Sequence, residues 1–378
     1  MLIRNATIPT EDGFRAGQCV RLTAGHIALV GSDLAAPADE PVLDLAGDYL
    51  LPGFVDVHTH AFAGHDVMSG EAALRAMSHS LYREGVAAFL PTTMSASPED
   101  TRRAVAAVRA VMDAQEPDGA RVIGAHLEAP FLNPAKCGAQ RPEWLCPPDW
   151  QTFLALTGGD VSAVRTITLA PELPGAEAFI RQAVQAGIAV SLGHSAADAE
   201  TAHAAADWGA SRVTHTFNAQ PPLHHRMPGL SGAAMADDRL YAEFIADGVH
   251  LHGDIVRLLV RCKGADKAVA ITDAMEAAGL PDGAYQLGGQ PVTVRGGEAR
   301  LADGTLAGSV LTMRRALHNL IHLFGVAPHD AVRMCTLTPA EAIGEPALGR
   351  IVPGSPAPLS RWSADWQYIS IIDENTEA

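Results

Sequence analysis

The sequence of 378 residues predicts an α/β fold, a (β/α)8 TIM-type barrel with a small discontinuous β-sandwich domain drawn from both termini. Three observations lead there. Between Gly53 and Asp273, short apolar runs alternate eight times with alanine-rich amphipathic stretches, the texture of repeated β/α units. Before Pro52 and after about residue 347 the chain instead consists of short β-like runs separated by Gly, Pro and Asp. Finally, histidines and carboxylates sit at the ends of the apolar runs, where a barrel places its active site.

Taken in order, Met1–Thr7, Gln18–Leu22, His26–Val30 and Val42–Leu45 read as strands, parted by turns such as Asp12-Gly13 and Gly31-Ser32-Asp33. Barrel strands are expected at Gly53–His58, Val86–Thr92, Arg121–Glu128, Val164–Pro171, Ile188–Gly193, Arg212–His215, Tyr241–Asp247 and Lys267–Asp273. Helices are expected at Gly70–Arg83, Ser97–Gln115, Gly175–Ala186, Ala196–Trp208 and His252–Cys262. Ser97-Pro98-Glu99-Asp100 has the cap, the first-turn proline and the acids of a helix start. A β-hairpin insertion is expected near 284–306, then closing helices at Val310–Phe324 and Asp330–Ile343. Residues 1–50 plus 347–378 would form the small β-domain and 51–346 the barrel. An open doubly wound sheet also alternates strands and helices, but no G-x-G-x-x-G follows the first strand.

Composition limits the function. Hydrophobic content of 48% and charged content of 19% suit a globular chain without long disordered tails. A net charge of −16 disfavours a nucleic-acid backbone as partner. No apolar run approaches the ~20 residues of a membrane span, and the opening residues carry no signal-peptide pattern. Cys19, Cys137, Cys146, Cys262 and Cys335 are scattered, without a C-x-x-C pair, which fits a reducing compartment. A soluble cytoplasmic protein is expected.

The chemistry lies at the strand ends. His58 and His60 are two residues apart, so on a strand both imidazoles leave the same face. Glu128 ends the third run, His194 follows the fifth, His215 ends the sixth and Asp273 ends the eighth. Any one could be a satisfied core or loop residue. Six ligand-type side chains at five strand ends of one barrel form a mixed histidine and carboxylate site suited to Zn²⁺ or another borderline divalent ion.

The pattern resembles the amidohydrolase superfamily, and within it the N-acetylglucosamine-6-phosphate deacetylases, over nearly the whole chain. The motifs are Pro52-Gly-Phe-Val-Asp-Val-His-Thr-His, His126-Leu-Glu-Ala-Pro-Phe, Gly193-His-Ser, Thr214-His-Thr-Phe-Asn-Ala, Pro228-Gly-Leu, Ala246-Asp-Gly-Val-His, Thr272-Asp-Ala and Leu306-Ala-Gly-Ser. The resemblance implies a metal-bearing barrel that hydrolyses the N-acetyl group of N-acetylglucosamine 6-phosphate in amino-sugar catabolism, giving glucosamine 6-phosphate and acetate. It implies that Glu128, His194 and His215 bind the catalytic metal and that His58 with His60 can hold a second. One or two divalent ions are thus expected, Zn²⁺ first, with Fe²⁺, Co²⁺ or Mn²⁺ as other candidates. Asp273 would be the catalytic acid and base, or else a passive ligand.

The resemblance also implies substrate contacts from Ala139, Gln140, Asn218, Ala219, Asp247, Leu306, Ala307 and Gly308. Arg226 and His250 would bind the sugar phosphate, one subunit of a homodimer completing the other's site. His224, His225 and His252 read as loop or helix-start residues. Many dinuclear relatives use a carboxylated lysine, but the three lysines here, Lys136, Lys263 and Lys267, sit in a loop or before the eighth strand. Three departures stand out: Gln140 where the family has histidine, Ala129 where it has glycine, and a Pro353-Gly-Ser-Pro-Ala-Pro-Leu-Ser-Arg-Trp tail without Ala-Asp-Leu. The first two keep open an amidohydrolase acting on another N-acyl sugar or a cyclic amide. A degenerate barrel serving as a binding or scaffold protein would have lost ligands, and none is missing.

Overall fold

A computed structural model describes residues 1–373 and 375–377. The eight barrel strands are β1 (Phe54–Thr59), β2 (Val86–Thr93), β3 (Ala125–Leu127), β4 (Val164–Leu169), β5 (Ala189–Leu192), β6 (Arg212–Val213), β7 (Tyr241–Ile245) and β8 (Ala268–Ile271). Each pairs in parallel with the next in sequence. The ring closes between its ends: Asp273 N–H donates to the His58 carbonyl at 2.9 Å, and Thr59 bridges Ala274. Sequential order with closure gives a barrel rather than an open sheet. The third strand is interrupted, since Arg121–Val122 pairs with β2 separately and Ile123-Gly124 intervene.

The strands read as continuous apolar runs because they are covered on both sides. Every residue of β1 and β2 is buried. Outer helices supply one face each. Pro98–Asp113 starts where Ser97 Oγ accepts the Asp100 N–H, and it buries Thr101, Ala104, Val105, Val108 and Val111 at helical spacing.

The terminal segments form one hydrogen-bonded sheet of seven strands. Its first strand, Leu2–Thr10, pairs with Gly13–Thr23, Val42–Asp44 and Tyr49–Pro52, and the C-terminal Leu359–Trp362 runs antiparallel to Tyr49–Pro52. Ile3, Ile8, Val20, Leu22, Ile27, Leu50, Leu359 and Ile372 make its apolar core. The altered tail therefore still forms a strand, and fully buried Trp362 meets Phe54 of β1 edge to face at 6.2 Å.

Two expectations change. The insertion is a three-stranded antiparallel sheet, Gly283–Leu287, Gln290–Arg295 and Glu298–Arg300, because both Gly288-Gly289 and Gly296-Gly297 turn the chain with positive φ. The last expected helix is two, Pro328–Cys335 and Leu337–Ala342, broken at Thr336. Pro339 has no N–H, and the break places it in a first turn, where none is needed.

Candidate metal centre

The expected ligands converge at the C-terminal mouth of the barrel. His58 lies near the end of β1 and His60 just beyond it; Glu128 directly follows β3; His194, His215 and Asp273 each lie two residues past their strands. All six are buried. His194, His215 and Asp273 have φ of 47°, 27° and 50°, a region that costs a non-glycine residue roughly 1–3 kcal/mol. Such backbone turns each side chain off its strand and over the barrel axis. Gly193 allows the strands to close up here: a Cβ would lie 2.7 Å from Thr214 Cβ and 3.1 Å from Thr168 Cγ2.

The side chains form two adjoining groups, Glu128 with His194 and His215, and His58 with His60 and Asp273. Glu128 spans both. Its Oε1 lies 3.2 Å from His194 Nε2, 3.0 Å from His215 Nε2 and 3.3 Å from His58 Nε2, while Oε2 lies 3.3 Å from His60 Nε2. Asp273 Oδ1 is 3.5 Å from His58 Nε2 and 3.2 Å from His60 Nε2.

Hydrogen bonds on the far side of the rings test whether a cation fits. His60 Nδ1 is 3.1 Å from the Thr92 carbonyl, and His194 Nδ1 is 2.9 Å from the Lys136 carbonyl. A carbonyl only accepts, so these Nδ1 atoms carry the proton and the Nε2 atoms present lone pairs. Yet His58 and His60 Nε2 are 3.3 Å apart, and His194 and His215 Nε2 are 3.0 Å apart. The lone pairs of His60 and His194, facing further ring nitrogens and carboxylates, call for a divalent cation, and this donor set suits one. Lys136 thus serves through its carbonyl, not its amine. Lys263 donates to the Asp237 carbonyl at 2.7 Å and Lys267 covers the Tyr241 ring, so neither bridges the site.

Without a cation the charges redistribute as protons. Burial pushes Glu128 up, yet the surrounding histidines, His58 foremost, hold it well below the usual carboxylate range. Burial likewise opposes ionisation of Asp273, but His58 and His60 bring it down to about 2. Burial lowers His60 and His215, and the facing carboxylates more than offset this, raising them to about 10 and about 9.

A cavity of about 380 Å³ opens above the ligands. Of the expected substrate contacts, Ala139, Gln140, Asn218, Ala219, His250, Leu306 and Gly308 line it. Asp247 stands behind, its carboxylate 2.7 Å from His250 Nδ1. Ala307 is buried, its N–H donating to the Ala299 carbonyl, and Gly308 with φ of 62° packs close to the Asp273 carbonyl. Arg226 lies outside this cavity, exposed on its loop, with Nη1 2.8 Å from His225 Nε2. His252 is the N-cap of helix Gly253–Lys267.

Several residues of the site went unanticipated. Met94, Gly138, Leu287, Arg300 and Thr305 also line the cavity. Arg300 arrives on the inserted sheet, where it bridges Leu306, a placement no local signal announces. Below the ligands, Arg212 and Glu243 are fully buried. They had a signal, being charges inside otherwise apolar strands.

Fold and site together define a metal-dependent hydrolase of the amidohydrolase type. Residues 49–373 match the Amidohydrolase family, and the chain belongs to it. The N-acetylglucosamine-6-phosphate deacetylase of Bacillus subtilis is 36% identical over 98% of this chain and 95% of its own length. The N-acetylgalactosamine-6-phosphate deacetylase of Escherichia coli O157:H7 is 37% identical over 94% of this chain and 93% of its own. The crystal structure of N-acetyl-D-glucosamine-6-phosphate deacetylase from Mycobacterium smegmatis superposes with a TM-score of 0.90 at 31% identity, covering 98% of both chains. Among the described residues, no helix is long and apolar enough to cross a membrane.

Proposed function

We propose that the chain hydrolyses the N-acetyl group of N-acetylglucosamine 6-phosphate, releasing acetate and glucosamine 6-phosphate for amino-sugar catabolism. The observation that carries this is the convergence of Glu128, His194, His215, His58, His60 and Asp273 beneath a cavity lined by His250, Asn218 and the Leu306–Gly308 loop. Similarity to deacetylases over nearly the full chain supports the substrate class.

Glu128, His194 and His215 would hold a divalent ion, with His58 and His60 able to hold another, and the chemistry such an ion would supply there is Lewis acidity towards the acyl oxygen and water. Asp273 takes the proton of the attacking water at a carboxylate oxygen. It returns that proton to the amine nitrogen as the C–N bond breaks, because an amine leaves poorly unless protonated. His250, oriented by Asp247, keeps Nε2 for the phosphate; Ala139, Asn218, Ala219 and the Leu306–Gly308 loop hold the sugar. Arg226 lies on an exposed loop, which suits a contact with the cavity of a second copy in a cytoplasmic homodimer. Zn²⁺ is the ion of first choice. Residues 1–50 with 347–378 act as one unit and 51–346 as the other.

The galactosamine relative, equally similar, favours one second reading: the sugar C4 configuration is read loosely or inverted, making N-acetylgalactosamine 6-phosphate the substrate. Acetate release from both sugars, each with and without its 6-phosphate, tests the proposal. The expected result is turnover of N-acetylglucosamine 6-phosphate with strong dependence on the phosphate; indifference to the phosphate would overturn it.

A further inference from the structure

Beneath the metal ligands the barrel interior holds an ion pair that the chemistry above does not use. Arg212 on β6 and Glu243 on β7 are both fully buried. Arg212 Nη2 donates to Glu243 Oε1, and Nη1 donates to Thr166 Oγ1 at 2.7 Å. The other carboxylate oxygen, Glu243 Oε2, lies 3.2 Å from Nδ1 of His58. Barrel interiors are normally filled by layers of apolar side chains, and a buried ion pair is weak support for stability compared with such packing. Its placement on the back of one ligand therefore calls for another explanation.

His58 differs from its neighbours in this respect. The Nδ1 atoms of His60 and His194 face backbone carbonyls, whereas that of His58 faces a full carboxylate. His126 packs edge to face on His58 at 4.7 Å but does not compete, since its own nitrogens face Thr92 Oγ1 and Thr168 Oγ1. We propose that Glu243, held in place by Arg212, is the positioning residue of His58, fixing the tautomer protonated on Nδ1 and thereby setting the affinity of the His58–His60–Asp273 group for a divalent ion. The carboxylate accepts the Nδ1–H, so Nε2 keeps its lone pair towards the site and gains basicity. Arg212 fixes the carboxylate through Oε1 and so leaves Oε2 facing His58. The inference rests on the reading of His58 as a metal ligand.

The experiment is a cobalt titration of metal-stripped wild type and Glu243→Gln, which keeps the shape and removes the charge. The wild type is expected to take two ions. The variant is expected to bind the first with wild-type affinity and the second about ten- to hundredfold more weakly. Equal second-ion affinity in the two proteins overturns the proposal, and so does parallel loss of both ions with a lowered melting temperature, which would make the pair a support of the fold. Long-range ¹⁵N–¹H spectra of the metal-free wild type read the tautomer without any variant. A His58 proton on Nδ1 is expected, whether or not Nε2 also carries one, and an Nδ1 without a proton overturns the proposal. A wild type saturating at one cobalt ion contradicts the two-ion reading of the site, while the tautomer still decides the role of Glu243.

Discussion

The side-chain amide of Gln140 donates to Glu128 Oε2 at 2.6 Å, and its oxygen accepts the Ser95 N–H at 2.6 Å. A residue expected only to touch substrate thus uses both polar ends within the protein, steadying the carboxylate that spans the two ligand groups. Gln140→Glu would set a second carboxylate against Glu128, and two carboxylates at that separation do not both ionise readily. We expect Gln140→Glu to lower metal affinity at least about tenfold, with kcat/KM falling alongside. Metal content after dialysis and steady-state kinetics check this.

Asp273 is tied into the backbone at both ends, its N–H to the His58 carbonyl at 2.9 Å and its carbonyl to the Ser309 N–H at 2.7 Å. Asp273→Asn preserves these bonds, removes the proton acceptor and takes a charged donor from the His58–His60–Asp273 group. The variant should keep an ion at Glu128, His194 and His215 while kcat drops about 10²- to 10⁴-fold. Near-normal turnover would make Asp273 a passive ligand.

Arg300 is the one Lys or Arg among the described residues lining the cavity. Its Nε donates to Glu298 Oε2 at 2.9 Å, its Nη2 lies 2.8 Å from the same oxygen and its Nη1 donates to the Gly304 carbonyl at 2.7 Å, which leaves the second hydrogen of each terminal nitrogen for an anion. The pair with Glu298 is exposed and worth no more than about 1 kcal/mol, so a dianion can compete for the guanidinium. Arg300→Ala should raise KM for the phosphorylated sugar about tenfold, the weight of one modest charge-assisted contact, with little change in kcat. An unchanged KM, with a raised one in Arg226→Ala, would assign the phosphate to the loop of a second copy.

The metal-free protein should respond to alkali. His60 and His215 have pKa values raised to about 10 and about 9 from 6.5. A raised folded-state pKa stabilises fully below the unfolded value and loses that contribution as pH passes the folded one. Stability of chelator-treated protein should therefore decline from about pH 6.5 to about pH 10. With a divalent ion bound the rings are already neutral, and the decline should be smaller. Thermal melts of both forms across this range decide; a flat metal-free profile contradicts the arrangement.

The strand-end ligands were legible because backbone geometry alone dictates them. A strand buried on both sides must be apolar, so His58, His60, Glu128, His194, His215 and Asp273 stand out against their runs. The inserted sheet was legible in its turns but not in its strand count, since each Gly-Gly pair adds a strand that a single hairpin does not have. Arg226 and His250 looked equivalent in sequence, yet only His250 lines the cavity of its own chain.

The sequence by itself determined that a β/α barrel would carry histidines and carboxylates at its mouth, because alternation and position along a strand are local properties. Only the tertiary structure decided what stands behind each ligand. Gln140 on Glu128, the Lys136 carbonyl on His194, Glu243 on His58 and Arg300 above the cavity all join residues distant in sequence. Such contacts depend on strand register and barrel closure; the local pattern of the chain can mark a charge such as Glu243 as out of place but cannot name the residue it faces.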